Sequence, residues 1–134
     1  MIVLDASAVV EMLLGTATGR EVAERIADPA IALHVPHLVD VEVTQALRRC
    51  AASGDINQAD AVEAIAALRQ LPLERHGHDA LLDRAWALRE NLTAYDAVYV
   101  ALAEALDAPL LTCDAKLARA HGMAAAIQLV GAAR

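Results

Sequence analysis

Short apolar runs alternate with longer stretches of helical periodicity along almost the whole chain. Residues 2–5 form a short β-type run, and 6–14 continue with helix-permissive residues until Gly15. The stretch 15–19, GTATG, carries a loop signal, and 20–27 reads as a helix closed at Asp28-Pro29. Residues 30–35 read as a buried strand ending before Pro36. Within 37–53, Val39, Val43, Ala46, Leu47 and Cys50 make a helical stripe stopped by Gly54. A second helix over 57–71 carries Ala61, Ile65 and Leu68 on one face; Pro72 breaks it, and 73–75 is a short strand. Residues 78–90 predict an amphipathic helix with Leu81, Leu82, Ala85 and Leu88 inward. Thr93 reads as the N-cap of a further helix reaching Asp107. Residues 110–113 are strand-like, 115–121 a short helix ending at Gly122, and 126–130 the last strand.

Strands alternating with helices predict a single α/β domain whose parallel sheet is flanked by helices on both faces. No repeat or linker divides the 134 residues. In open sheets of this kind the working crevice lies beyond the carboxyl ends of the strands. Asp5 and Asp114 both stand there, each directly after an apolar run.

Composition narrows the functional classes. The chain is 57% hydrophobic and 22% charged, which excludes general disorder. Alanine accounts for 32 residues, Phe is absent, and Trp86, Tyr95 and Tyr99 are the only aromatics of the Phe/Trp/Tyr set. Little material is left for stacking nucleic-acid bases. Eleven basic against eighteen acidic residues, 11 − 18 = −7, exclude a broad basic coat for duplex binding. Cys50 and Cys113 lie far apart without CxxC spacing and read as reduced thiols. Asp5 stops the first apolar run, against a signal peptide, and the longest stretch without Asp, Glu, Lys or Arg, residues 120–133, is too short for a bilayer span. The expectation is a cytoplasmic protein without membrane contact.

Asp5 and Asp114 could each serve simply as helix N-caps. Asp96 is harder to dismiss, as the only charge between Leu92 and Ala103 in a helix apolar enough to be buried nearly all round. There an unpaired carboxylate is costly. Glu42 and Asp40 flank the Val39/Val43/Ala46 stripe on opposite sides, and periodicity does not choose between them.

Taken together, Val3-Leu4-Asp5-Ala6-Ser7-Ala8, Glu42-Val43, Leu92-Thr93-Ala94-Tyr95-Asp96-Ala97-Val98-Tyr99 and Leu111-Thr112-Cys113-Asp114 resemble a PIN-domain ribonuclease. More narrowly, they resemble the VapC toxins of bacterial VapBC toxin–antitoxin modules, in order and over nearly the whole chain. The resemblance implies a metal-dependent endoribonuclease whose acidic quartet falls on Asp5, Glu42, Asp96 and Asp114, with the family's hydroxyl residue at Thr112 and a small polar position at Ser7. It implies Mg²⁺ or Mn²⁺ held by Asp5, Asp96 and Asp114, with Glu42 orienting or deprotonating the attacking water. Thr112 would hold a ligand or the scissile phosphate. The implied substrate is single-stranded or loop RNA of the tRNA or rRNA class, cut to leave a 5′-phosphate; the implied partners are a second copy of the chain and a VapB-type antitoxin. Where some relatives place a further acid this chain has Lys116, so the resemblance does not extend to a second, fully occupied metal site. The alternative is a catalytically degenerate PIN domain serving as an RNA or protein interaction module.

Other residues read more simply. The pairs His34/His37 and His76/His78 have spacings seen in zinc sites, but no cysteine or third histidine completes either, and both read as surface or loop histidines. Nothing pairs Cys113 with a base, so it is not read as a nucleophile. Trp86 reads as core or dimer-interface filling, and Arg84, Arg89, Lys116 and Arg119 as candidates for an RNA access path. An aspartyl-phosphate phosphatase wants a second Asp two residues after Asp5, where Ser7 stands.

Overall fold

The computed structural model describes residues 1–131, so residues 132–134, including the end of the uncharged 120–133 run, lie outside the described residues. Five short parallel strands, β1 (Ile2–Leu4), β2 (Leu33–Pro36), β3 (Leu73–His76), β4 (Leu110–Thr112) and β5 (Ile127–Leu129), form one sheet in the order β3-β2-β1-β4-β5. Helices α1 (Ala6–Leu14), α2 (Ala17–Arg25), α3 (Leu38–Ala52) and α4 (Gln58–Gln70) fill the first two crossovers. A 3₁₀ turn (Asp79–Leu81), α5 (Leu82–Ala87) and α6 (Ala94–Leu106) make the return from β3 to β4, and α7 (Ala115–Ala118) joins β4 to β5. Right-handed crossovers running outward from β1 to β3, and then back past β1 to β4, place these two helix groups on opposite faces. The strand order, not the strand direction, reverses between β1 and β4, which pair in parallel through Val3↔Leu110 and Leu4↔Leu111.

The core is built of small and branched apolar residues. Seven consecutive residues of α6, Ala97 to Ala103, are buried, as an uncharged stretch of helix lying across a sheet requires. Thr93 caps α6 as its sequence position indicates, accepting from the Asp96 amide at 3.2 Å. No helix among the described residues is long and apolar enough to cross a membrane.

Several expectations shift. The GTATG stretch is not a loop throughout, because α2 starts at Ala17 on a Thr16 cap and Gly19 lies inside it. Strand β2 runs through Pro36, and the helix expected over 78–90 is α-helical only from Leu82 to Ala87. Leu81, Ala85 and Leu88 face the core, but Leu82 is 53% exposed, one position off their stripe. Helix α7 stops at Ala118, short of the expected residue 121. Trp86 is not core: it is 68% exposed, with the Arg89 guanidinium 4.5 Å from its ring centre.

Arg84 does not point toward an RNA path either. Its Nε and Nη2 donate to the two Glu104 oxygens at 2.6 and 3.0 Å, and Ala124 N donates to Glu104 Oε2 at 2.7 Å. This clamp ties α5 and the loop before β5 to α6, and it depresses the Glu104 pKa, chiefly through the Arg84 hydrogen bonds. A depressed folded value stabilises the protein above the ordinary carboxylate range and loses that contribution as pH falls through it. Glu104→Gln is therefore expected to destabilise the protein at neutral pH. Urea unfolding should show the penalty shrinking at acid pH, and a pH-independent penalty would contradict the clamp.

Candidate active site

The carboxyl ends of β1 and β4 carry the first members of the site. Asp5 follows β1 directly, is 6% exposed, and its backbone N–H donates to Leu111 O at 2.9 Å. Its side chain does not cap α1; Oδ2 instead accepts from Ser7 Oγ at 2.6 Å and from Thr112 Oγ1 at 2.9 Å. Thr112 ends β4, is fully buried, and accepts from the Asp114 amide at 3.0 Å, while Ser7 Oγ accepts from the Cys113 amide at 2.9 Å. Two hydroxyls thus lock the first acid onto the loop that carries the last. Asp114 does act as an N-cap, accepting from Lys116 N at 2.9 Å.

Helices α3 and α6 supply the rest. Glu42 lies half-buried on α3 and Asp96 half-buried in the first turn of α6. Asp5, Glu42, Asp96 and Asp114 line one cavity of about 350 Å³ together with Ser7, Glu11, Arg49 and Cys113. The structure also decides between the two α3 acids. Asp40 is held bidentately by Arg75 of β3, with Nε and Nη2 at 2.8 and 2.9 Å, on the other side of the stripe.

The pocket is electrostatically unbalanced. Among the described residues none of the four acids makes a salt bridge. Burial raises the pKa of Asp5, and Asp114 adds to the rise against the two hydroxyl hydrogen bonds. Burial likewise raises Glu42, with further repulsion from Asp5 and Asp96. Burial, Asp5 and Asp114 raise Asp96, partly offset by Lys116. The carboxylates nevertheless stand apart, since no three of them bring oxygens within 4.8 Å of one another. Mutual repulsion opposes closer approach without a cation between them. The fully buried Tyr99 approaches Glu42, but its hydroxyl closes no hydrogen bond of ordinary geometry. Burial pushes the Cys113 thiol up to about 11, in keeping with an inert cysteine.

A PIN domain family model matches residues 2–122. Ribonuclease VapC1 of Mycobacterium tuberculosis is 45% identical over 129 residues, covering 96% of each chain. The chain belongs to the VapC family of PIN-domain ribonucleases. VapC12 of the same organism is 42% identical, covering 97% of this chain and 99% of its own. The crystal structure of VapBC2 from Rickettsia felis, bound to a promoter DNA fragment, superposes with a TM-score of 0.68 at 15% identity, over 97% of this chain and 99% of that one, and shares the VapC fold.

Two further residues line this VapC pocket. Glu11 lies one helical turn beyond Ser7 on α1, and Arg49 lies two turns beyond Glu42 on α3 with Ala46 between. The i, i+4 and i, i+7 spacings were the available signal. Glu11 is tied to Thr16, whose hydroxyl donates to its carboxylate. Of the basic residues expected along an access path, Lys116 adjoins the VapC acids, and its charge reaches Asp96.

Proposed function

We propose that the chain is the toxin of a type II toxin–antitoxin module, an endoribonuclease that hydrolyses RNA phosphodiester bonds in the acid pocket. The observation that carries this reading is the gathering of four acids, from four separate elements, around one cavity at the sheet's reversal point with no salt bridge to any of them among the described residues. Oxygen-only donors of net negative charge fit a hard divalent cation, which completes its shell with water. Asp5, Asp96 and Asp114 would hold Mg²⁺ or Mn²⁺. Such an ion neutralises charge on the phosphate and lowers the pKa of water.

The chain's own residues do the remaining work. Ser7 and Thr112 orient Asp5 through Oδ2, and because Thr112 is fully buried, positioning Asp5 rather than touching the phosphate is the role its place supports. Glu42, whose proton affinity is raised by burial and by neighbouring acids, takes the proton of the attacking water. The water oxygen bonds to phosphorus as the P–O3′ bond breaks, the departing 3′-oxygen takes a proton from solvent, and the products are a 3′-hydroxyl and a 5′-phosphate. The net charge of −7 disfavours non-specific RNA binding, so the substrate is recognised by shape and exposed bases, as tRNA and rRNA loops offer. Such substrates place the activity in the cytoplasm.

Val41 and Tyr95, 67% and 63% exposed, share a shallow groove with Glu42 and Arg49 at the pocket rim. This apolar rim supports a homodimer and a VapB-type antitoxin as partners. The test pairs the two acids of α3 on structured RNA with Mg²⁺ or Mn²⁺. Glu42→Gln is expected to lower the cleavage rate by about 10²-fold or more, Asp40→Asn to leave it within a few-fold, and excess EDTA to abolish it. Equal losses in the two variants, or full activity in EDTA, would sink the assignment.

A further inference from the structure

The histidines that look like two local pairs in sequence form a different set in space. In the β2/β3 register His34 stands opposite Glu74 and Pro36 opposite His76, so His34, Glu74 and His76 share one face of the sheet. His34 Nδ1 lies 2.9 Å from His76 Nε2 and 3.5 Å from Glu74 Oε2, and all three ligating atoms fall within 4.8 Å of one another. His34 is not a surface residue, being only 5% exposed, and its Nε2 is buried with no partner. The ring is therefore fixed with its one engaged nitrogen aimed into the cluster.

We propose that His34 Nδ1, His76 Nε2 and the Glu74 carboxylate form a binding site for a divalent transition-metal ion of the zinc type, separate from the acid pocket. Two imidazoles and one carboxylate are a common catalytic-type zinc donor set, the remaining position being left to water. Tetrahedral bonds of about 2.0–2.1 Å hold two ligand nitrogens about 3.3 Å apart. The observed 2.9 and 3.5 Å bracket that spacing, and the His76–Glu74 pair, within 4.8 Å, is closed by rotation of the exposed Glu74 side chain. Glu74, with a side chain 66% exposed, leaves the fourth position open to solvent.

The site fastens an edge strand to its neighbour. It also bears on helix α3, because His76 O accepts from His37 N at 2.8 Å and His78 Nε2 accepts from Leu38 N at 3.0 Å. An ion here thus stiffens the start of the helix that carries Glu42.

The test titrates Zn²⁺, and Co²⁺ as a visible probe, into the untagged, metal-stripped full chain by calorimetry and absorption. Wild type is expected to bind Zn²⁺ at both this site and the acid pocket, whereas Asp96→Asn, which lacks an acid-pocket ligand, is expected to bind one Zn²⁺ per chain, to give intense four-coordinate Co²⁺ bands, and to melt several degrees higher with Zn²⁺. Added to Asp96→Asn, His76→Gln should lose all three signals. Glu74→Gln, a change at an exposed side chain that does not threaten folding, should weaken Zn²⁺ binding by about tenfold or more. Unchanged affinity in Glu74→Gln and His76→Gln, no saturable binding by wild type, or binding lost only in Asp96→Asn would each overturn the proposal.

Discussion

Asp5→Asn is expected to reduce RNA cleavage by about 10³-fold or more while leaving a folded protein, the size of loss that removal of preorganised charge at a reacting phosphate produces. The substitution keeps the side chain's shape, and one amide oxygen can still accept from Ser7 or Thr112, so the loop that presents Asp114 has no reason to move. What disappears is the negative charge at the most buried point of the pocket. Folding raises the Asp5 pKa, so its stabilising contribution is present below the ordinary carboxylate range and is lost as pH rises through the folded value. At neutral pH a neutral amide therefore removes a desolvation burden, and the metal-free melting temperature should hold or rise. Cleavage of a 5′-labelled RNA alongside circular-dichroism melting measures both. Asp96→Asn should give a comparable loss, and the double variant little more than either single, because groups holding one ion act as a unit. A folded Asp5→Asn protein cleaving within tenfold of wild type would remove this residue from the mechanism.

How much of this was legible depends on how local each signal is. Thr93 capping α6 and the strand-end positions of Asp5 and Asp114 are decided within a few residues, and the structure keeps them. The choice between Asp40 and Glu42 is not local: it turns on Arg75, thirty-five positions from Asp40, arriving on the β3 edge. The same register regroups His34 with His76 rather than with His37. Parallel pairing across a crossover leaves no mark in either segment alone, so spacing arguments fail there. The same holds for Arg84, a candidate for an RNA access path by sequence, whose partner Glu104 comes from a separate helix.

Gly19 was misread for another reason, and it carries the second large expected effect. Two glycines in five residues suggest a turn. Only Gly15 serves that purpose, with φ +66° at the end of α1. Gly19 is there for lack of a side chain: a Cβ built on it would lie 1.9 Å from the Glu11 carbonyl oxygen, 2.4 Å from its carbon and 2.8 Å from Met12 N. These are backbone atoms of α1 and cannot rotate away. The Gly19 amide also donates to the Thr16 cap at 2.9 Å, and Thr16 in turn holds Glu11, so any retreat of α2 strains the cap and the pocket wall together. In an exposed helix Gly→Ala gains up to about 1 kcal/mol from propensity. Here overpacking of about 3 kcal/mol or more outweighs it. Gly19→Ala should therefore lose about 2–3 kcal/mol and lower Tm by roughly 10 °C. The variant's specific activity, assayed well below its melting point, should fall less than its stability, because Asp5 and Ser7 sit at the far end of α1, held by β4. A higher Tm in Gly19→Ala would mean that the two helices do not make this backbone contact.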